Sequence, residues 1–328
     1  MNQTSNHSGS LPGISVVMCT CNGASYLEEQ LQSIRRQTRL PAELVVSDDA
    51  STDQTMAILQ EFAHSAPFAV RIVQNRVRLG STANFDQAIR LAQGELIALC
   101  DQDDRWRSQK LERLSAIIEG DRNLGGVFSN ASLIDGHSTA IEGDLFTAHR
   151  FLLAKQKAFR DDPVSVLLKH CVVCGATLMF RSSLRQYVPA IPRSWVHDAW
   201  LAWIIVLHSN LDFTTETLTE YRLHAGQQIG LGGAPASVVS PKAREPWREH
   251  YRRVAGQFID LREHLRTSSA AGHEKTLKHI DNKIAFLEME AGLSTIMAVR
   301  TFEIVRRFPE YLRYTRGFGA IRDDALMD

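Results

Sequence analysis

A cluster of aspartates follows a short apolar run in the first third of the chain. Asp101, Asp103 and Asp104 lie within four positions, directly after Leu96–Leu99. Carboxylates this close repel one another unless a cation lies between them. Mg²⁺ and Mn²⁺ bind one or two carboxylates and complete their shells with phosphate oxygens, so the cluster indicates a metal site that would neutralise a diphosphate leaving group. The alternative is a solvated turn, where aspartate tolerates loop geometry.

A second acidic pair, Asp48 and Asp49, ends another apolar run. An acid at this place in a nucleotide-binding half-sheet usually bonds a base or ribose. Capping of the next helix is the alternative, and we expect one aspartate to cap and the other to contact nucleotide. Ser51 and Thr52 are further predicted caps of that helix.

Two later motifs contain a histidine, and one of them pairs it with an acid. Asp198 follows His197 and precedes the apolar run from Ala199, so it is equally suited to be a general base or a helix N-cap. His224, in Tyr-Arg-Leu-His, could ligate a metal, although a lone loop histidine is more often merely exposed.

The cysteines do not predict a zinc site. Cys171 and Cys174 form one C-x-x-C with no second pair at a plausible spacing, so we interpret them as core residues, like Cys19 and Cys100. An odd total of five cysteines also does not suggest a disulfide framework.

The elements that must position these residues alternate between strands and helices. A β-α-β-α-β-α-β order with nearly continuous apolar strands predicts a parallel sheet covered on both faces. Ligands bind at the carboxyl ends of such strands, where both aspartate clusters lie. The predicted strands are Ile14–Met18, Glu43–Val46, Val70–Val73 and Leu96–Leu99, followed less regularly by Gly126–Ser129 and Ala176–Phe180, a buried helix over Trp200–Leu207, and helices from Pro246 onward.

Composition excludes several classes of function. The 328 residues are 44% hydrophobic and 23% charged, with 37 basic and 37 acidic side chains, so no global field attracts nucleic acid. There is no P-loop, G-x-G-x-x-G or G-x-S-x-G motif.

The first twelve residues lack the apolar core of a signal peptide, and no apolar run reaches the length of a membrane span. These features predict a cytoplasmic protein that is soluble or at most peripheral.

The ordered set of motifs resembles family 2 glycosyltransferases of the GT-A fold, and within them bacterial rhamnosyltransferase-like enzymes of polysaccharide assembly. The resemblance covers roughly residues 13–231. It is carried by Ile14–Gly23, Tyr26–Leu31, Ser47–Asp53, Leu99–Trp106, Trp195–Trp200 and Tyr221–His224.

This resemblance implies an inverting, metal-dependent glycosyltransferase with Asp198 as catalytic base and Mg²⁺ or Mn²⁺ as cofactor. Asp103 would hold the metal, with His224 as a further metal or diphosphate contact. The implied donor is dTDP-rhamnose, with UDP-sugars as the alternative, and the acceptor is a glycan or lipid-linked saccharide. The implied nucleotide and donor contacts are Thr20, Asn22, Glu28, Asp48, Asp49, Arg78, Asp101 and Gln102.

The predicted organisation is an N-terminal tail (1–12), a GT-A domain (13–233, with nucleotide-sugar half 13–125 and acceptor half 126–233) and a helical region (234–328). In that last region Arg306, Arg307, Arg313 and Arg316 alternate with Phe308, Tyr311, Leu312, Tyr314 and Phe318. Such a helix could rest on the inner membrane face, or pack on its own domain with a solvated basic face. Two other functions stay open from the residues: a nucleotidyltransferase and a non-catalytic nucleotide-sugar binding module.

Overall fold

The computed structural model describes residues 13–188, 190–225, 227, 246–268, 272–293 and 297–315. The predicted tail at 1–12 and the predicted boundary after residue 233 lie outside the described residues, so both stay predictions.

The first half of the chain forms the predicted parallel half-sheet. Its elements are β1 (Ile14–Thr20), α1 (Leu27–Arg35), β2 (Glu43–Asp48), α2 (Thr55–Ser65), β3 (Ala69–Gln74), α3 (Ser81–Leu91) and β4 (Leu96–Cys100). β1 pairs in parallel with β2 and β4, and β2 with β3, which gives the order β3-β2-β1-β4. The predicted strands and their direction are confirmed.

The strands read as nearly continuous apolar runs because both faces of the sheet are covered. Successive side chains point to opposite faces. Val17 and Leu99 therefore join the core on the side of α3, whereas Val16, Met18 and Ala98 join the core on the other side.

The second half of the chain extends the same sheet with mixed strand directions. Its elements are β5 (Arg105–Trp106), α4 (Lys110–Gly120), β6 (Leu124–Asp135), β7 (Ala140–Asp144), α5 (Leu145–Ala148), α6 (Leu153–Asp161), α7 (Pro163–Leu167), β8 (Leu178–Arg181), α8 (His197–His208) and β9 (Asn210–Leu223). From β4 the strand order continues β8-β6-β9-β5, and β7 pairs with β6. β8 is antiparallel to β4 and β6, while β6 and β9 are parallel.

Two predicted strand boundaries in this half are wrong. β6 runs on to Asp135, well beyond the predicted end at Ser129, because buried polar residues such as Ser129 and Asn130 continue the pairing with β9. The strand predicted from Ala176 begins at Leu178, since Gly175–Thr177 forms a 3-10 turn.

The predicted caps of α2 are also corrected. Neither Ser51 nor Thr52 caps this helix, which begins at Thr55 with no side-chain cap bond. Instead, Asp53 accepts bonds from the Thr55 amide and hydroxyl at 3.0 and 2.5 Å.

The C-terminal residues are helical, as predicted, and they share the core of the sheet domain. The Phe258 ring lies 6.0 Å from both Trp195 and Trp203, so α9 packs directly on the region of α8. None of the helices in the described ranges is both long and apolar enough to cross a membrane. The elements are α9 (Trp247–Thr267), α10 (Glu274–Ala291), α11 (Met297–Arg306) and α12 (Phe308–Tyr314).

Two aromatic residues that were predicted for a membrane-facing helix are core residues. Tyr311 and Tyr314 are buried, with ring centroids 5.2 and 5.6 Å from that of Phe286. The Tyr311 hydroxyl donates to Glu290 at 2.5 Å. For these two rings, packing on the chain's own helices is the correct interpretation. Arg316 and Phe318 lie outside the described residues.

Candidate active site

A cavity of about 240 Å³ lies at the carboxyl ends of β1 and β4. β2 and β4 lie on opposite sides of β1, so the carboxyl ends of β1 and β4 form a topological switch point. Open α/β sheets bind ligands at such points. The wall includes four carboxylates, those of Asp49, Asp101, Asp103 and Asp198.

The three aspartates after β4 occupy three different environments. Asp101 and Asp103 line the cavity. Asp104 is buried and accepts a bond from the Arg222 amide at 2.9 Å, so it belongs to the interior of the loop. Burial, and then the charges of Asp103 and Asp198, raise the pKa of Asp101 to about 7. Burial, and then the charges of Asp103 and Asp101, also raise the pKa of Asp104.

His224 lies against the aspartate loop, although 121 positions separate it from Asp103. Its Nε2 is 2.8 Å from Oδ2 of Asp103. The Tyr26 ring is 4.8 Å from the His224 ring and supports its other side. β9, which ends at Leu223, delivers this histidine to the cavity.

Arg222 holds this corner together, and the sequence reasoning assigned it no role. Its guanidinium has no exposed surface and donates to the Asp103 carbonyl at 2.5 Å. It also pairs with Glu29 at 3.0 Å and bonds Ser138 at 2.8 Å. Its guanidinium carbon lies 4.6 Å from the Tyr26 ring centroid. The only sequence signal was its place two residues before His224.

Asp48 and Asp49 separate into an interior residue and a cavity residue. Asp48 is fully buried and accepts from Thr20 Oγ1 at 2.8 Å and from the Ser51 amide at 2.9 Å. It does not line the cavity. Asp49 does, while accepting from the amides of Leu79 and Gly80 at 2.6 and 2.9 Å. Neither caps α2, so the predicted capping role is wrong for both.

The loop after β1 is tied to the aspartate loop by Gln102. Its Oε1 accepts from the Cys21 amide at 2.8 Å and its Nε2 donates to the Cys21 carbonyl at 3.2 Å. Thr20, Cys21 and Gln102 all line the cavity. Asn22 is exposed, has φ 50°, and accepts a bond from the Thr52 amide at 2.8 Å, so its side chain shapes the loop outside the cavity.

Glu28 and Arg78, which were predicted donor contacts, lie on the surface. Glu28 is exposed on α1 and accepts a bond from Gln32 at 2.9 Å. Its neighbour Glu29 is the residue that joins the site, through Arg222. Arg78 is exposed before α3. Burial raises the pKa of Cys21, and the positive charge of Arg78 opposes that rise.

Asp198 reaches the cavity from the first turn of α8. The N-cap position is Val196 and carries no side-chain cap bond, so the N-cap alternative for Asp198 is wrong. Its Oδ2 accepts from the Gly175 amide at 3.0 Å and its Oδ1 from the Ala199 amide at 2.6 Å. Asp198 also contributes to the raised pKa of Asp101, so the two carboxylates interact electrostatically.

The cavity wall also contains Val173, Val196 and His149, which the sequence did not single out, and Cys174. Cys19, Cys171 and Cys174 are partly buried and pack against the hydrophobic core, but Cys19 and Cys174 also line the cavity, which the sequence did not indicate. Cys100 is buried, as expected. The C-x-x-C spacing bears only on zinc binding, so it could not indicate that Cys174 lines a cavity.

Asp103 and His224, which are in contact and both line the cavity, are the side chains here that could hold a divalent cation. Across the described ranges there is no group of three or more His, Cys, Asp or Glu side chains arranged to hold a metal ion. A carboxylate and an imidazole suit Mn²⁺, and one or two carboxylates with substrate phosphates suit Mg²⁺. The residues therefore fit a cation that shares its shell with a bound diphosphate.

Comparison with known proteins identifies the family. The family model described as Glycosyl transferase family 2 matches residues 15–188. The chain belongs to glycosyl transferase family 2. It is therefore a glycosyltransferase that uses a nucleotide sugar, as the resemblance implied, and the alternative of a nucleotidyltransferase falls away.

Named relatives and solved structures agree with this assignment. Over 199 residues the chain is 26% identical to the UDP-Glc:alpha-D-GlcNAc-diphosphoundecaprenol beta-1,3-glucosyltransferase WfgD of Escherichia coli, covering 60% of this chain and 70% of the relative. Its fold is similar to S. aureus TarS 1-349 in complex with UDP-GlcNAc (TM-score 0.58, 16% identity, 95% of this chain and 81% of that one). It is also similar to the mannosyltransferase PcManGT from Pyrobaculum calidifontis in complex with GDP-Man and Mn²⁺ (TM-score 0.50, 17% identity, 97% and 86%). The predicted GT-A fold with a helical C-terminal region is confirmed.

Proposed function

We propose that this glycosyltransferase inverts the anomeric centre as it moves a sugar from a nucleoside-diphosphate donor to a saccharide or lipid-linked saccharide in cell-surface polysaccharide synthesis. One observation carries the proposal. A single cavity joins Asp49, Asp101 and Asp103, at the ends of β2 and β4, to Asp198 on α8. A donor bound at the switch point would thus face a carboxylate across the cavity.

Asp198 is the proposed general base. Its oxygens accept from the Gly175 and Ala199 amides, which fixes the carboxylate while leaving lone pairs toward the cavity. It would take the proton of an acceptor hydroxyl as that oxygen attacks the anomeric carbon. The bond to the nucleoside diphosphate breaks on the opposite face of the sugar, so the configuration inverts.

Asp103 and His224 are the proposed ligands of Mg²⁺ or Mn²⁺. Bound there, the ion would neutralise negative charge that develops on the diphosphate. Arg222 would hold the Asp103 backbone, and Tyr26 would hold the His224 ring, in the positions that the pair requires. The similar mannosyltransferase was solved as a complex with GDP-Man and Mn²⁺, which supports this assignment.

The proposed nucleotide contacts are the predicted residues that line the cavity: Thr20, Asp49, Asp101 and Gln102. Asn22, Glu28, Asp48 and Arg78 lie outside its wall, and we assign them no direct contact in this conformation. For the donor, UDP-glucose and UDP-GlcNAc in the names of the relatives favour a UDP-sugar. dTDP-rhamnose, which has a similar pyrimidine nucleotide, is the second donor to test.

The testing experiment separates donor binding from chemistry with Asp198→Asn, which keeps an oxygen for the Gly175 amide. Purified protein is heated with UDP, dTDP or GDP, with Mn²⁺ or with EDTA. A nucleotide at about 100 times its Kd stabilises the fold by about 2.7 kcal/mol. We expect metal-dependent stabilisation by one pyrimidine diphosphate in both the wild type and Asp198→Asn. Turnover of the matching sugar donor should fall about 10²- to 10⁴-fold in the variant.

The matched control is Asp212→Asn, an aspartate on the exposed side of β9 that pairs with Arg160. It should keep wild-type turnover. Wild-type turnover by Asp198→Asn would refute the base assignment. A folded wild type that no nucleotide stabilises would instead favour a module that has lost its donor site, and retention of anomeric configuration in the product would refute inversion.

Peripheral membrane contact through the C-terminal helices is also part of the proposal. The E. coli relative is named for a diphosphoundecaprenol-linked acceptor. If the acceptor here is also lipid-linked, its sugar would be presented at a membrane surface.

A further inference from the structure

Helix α11 exposes three apolar side chains and buries a charged one. Val299, Phe302 and Val305 are 44%, 68% and 62% exposed, whereas Arg300 and Ile304 are buried. Side chains three positions apart share one face of a helix, so the three form a continuous apolar stripe. A helix on a globular surface normally turns such a stripe toward the core, and exposed apolar patches mark sites of interaction.

Exposed cations adjoin this stripe in the sequence. Arg306 follows Val305 directly, and Arg313 follows Leu312, which is itself 42% exposed on α12. Arg313 also lines a hollow of about 310 Å³ with Lys169, Lys275 and His279. Among the described residues that line this hollow, the one carboxylate is that of Asp162. It accepts a hydrogen bond from the Ser165 amide at 3.2 Å and thereby caps α7. Within the described ranges, Lys169, Lys275 and Arg313 form no ion pair.

We propose that α11 and the basic hollow form one docking surface for an anionic phospholipid bilayer. Val299, Phe302 and Val305 enter the boundary between headgroups and acyl chains, and Lys169, Lys275 and Arg313 bind headgroup phosphates. The charge favours a bilayer over a second copy of the chain, because these three cations complement anionic lipid but would repel the same cations on a twin surface. The inference rests on the proposed function in one respect, which is that docking would bring the active site to lipid-linked acceptors.

Co-sedimentation of the full chain with vesicles tests the proposal. The vesicles are phosphatidylcholine alone, or phosphatidylcholine mixed with phosphatidylglycerol. We expect binding to the mixed vesicles that weakens at high salt. Phe302→Ser should weaken it roughly tenfold or more, since it removes a large apolar side chain from the bilayer. Each cation near an anionic surface strengthens binding about fivefold, so Lys169→Ala with Lys275→Ala should cost roughly 25-fold.

The matched control is Leu153→Ser, because Leu153 is 82% exposed on α6, away from α11 in the sequence. It should bind vesicles like the wild type. Thermal unfolding verifies that each variant folds, and Val305→Ser is the second variant if Phe302→Ser does not. Vesicle binding that is absent, insensitive to salt or equally reduced by Leu153→Ser would overturn the proposal.

Two further outcomes identify another occupant and would also overturn it. Dimerisation that Phe302→Ser abolishes would assign the stripe to a second copy of the chain. Release of the protein from vesicles by millimolar inorganic phosphate, at constant ionic strength, would assign the hollow to free phosphate. The docking surface and the proposed function can fail independently, because vesicle binding does not require sugar transfer. Loss of vesicle binding in Phe302→Ser with unchanged nucleotide stabilisation supports the docking surface.

Discussion

Replacing Arg222 with methionine should destabilise the protein strongly, because the substitution removes a buried positive charge that bonds several residues near the cavity. Arg222 pairs with Glu29 at 3.0 Å and donates to the Asp103 carbonyl, the Asp135 carbonyl and Ser138. Methionine fills much of the volume but donates no bonds. Breaking a buried pair costs about 3–5 kcal/mol.

The lower end of that range applies here, since Glu29 is 43% exposed and can be hydrated when it loses its partner. Arg105 also lies 3.6 Å from Glu29 and partly replaces the lost charge. We therefore expect a loss of about 3 kcal/mol in the free energy of unfolding. With an unfolding entropy of about 2.1 cal/mol/K per residue, the midpoint should fall by roughly 4–5 °C.

Thermal unfolding followed by circular dichroism measures this change, with Arg113→Met as the control. Arg113 forms a comparable bond to Glu216 at 2.8 Å, but both side chains are exposed, so its removal should leave the midpoint nearly unchanged. Arg222→Met should also weaken metal-dependent nucleotide stabilisation, because the Asp103 backbone loses its anchor. Equal midpoints for the two variants would refute the reasoning.

Two other predictions follow from packing and from burial. Gly94→Ala should cost about 1–3 kcal/mol in a denaturant titration, because its Cβ would lie 2.7 Å from the Gly13 carbonyl and the Ser15 amide. Gly120→Ala, whose Cβ would meet nothing within 4 Å, is the control and should be nearly neutral. Burial lowers the pKa of Lys283 to about 7 from 10.5, so the unfolded chain binds a proton that the folded chain has released between these values. Stability should therefore rise from pH 7 toward pH 10.5 by at most about 1.4 kcal/mol per pH unit, and Lys283→Met should flatten that rise; parallel curves for the two proteins would contradict it.

The parallel half of the fold could be predicted from the sequence because its strands are buried on both faces. A strand such as Leu96–Cys100 has no polar position, so apolar run length alone located it. β6 could not be predicted in the same way, since Ser129 and Asn130 are polar yet paired inside a long ladder with β9. Pairing between strands far apart in the sequence leaves little local signal.

Site residues that directly follow strands could be predicted from the sequence. Whether their side chains point into the cavity could not, because hydrogen bonds and ion pairs set that direction. Asp49 and Asp48 are neighbours after the same strand, yet only Asp49 lines the cavity, because Thr20 and Ser51 hold Asp48 inside the loop. Glu28 and Glu29 differ in the same way, since only Glu29 lies where Arg222 can reach it. Contacts between residues this far apart are made by the fold, and no local pattern records them.

The distribution of charge around the cavity supports the proposal that metal and nucleotide bind together. Four carboxylates line the wall, while the buried cations nearest to it serve the protein itself. Arg222 pairs with Glu29, and Lys110 donates to Thr219 at 3.0 Å and lies 3.8 Å from the Trp106 ring centroid. An anionic diphosphate would be repelled from such a wall unless a cation entered with it. The same arrangement leaves Asp198 free of any cationic partner among the described residues, so its carboxylate is available to accept a proton rather than being held in an ion pair.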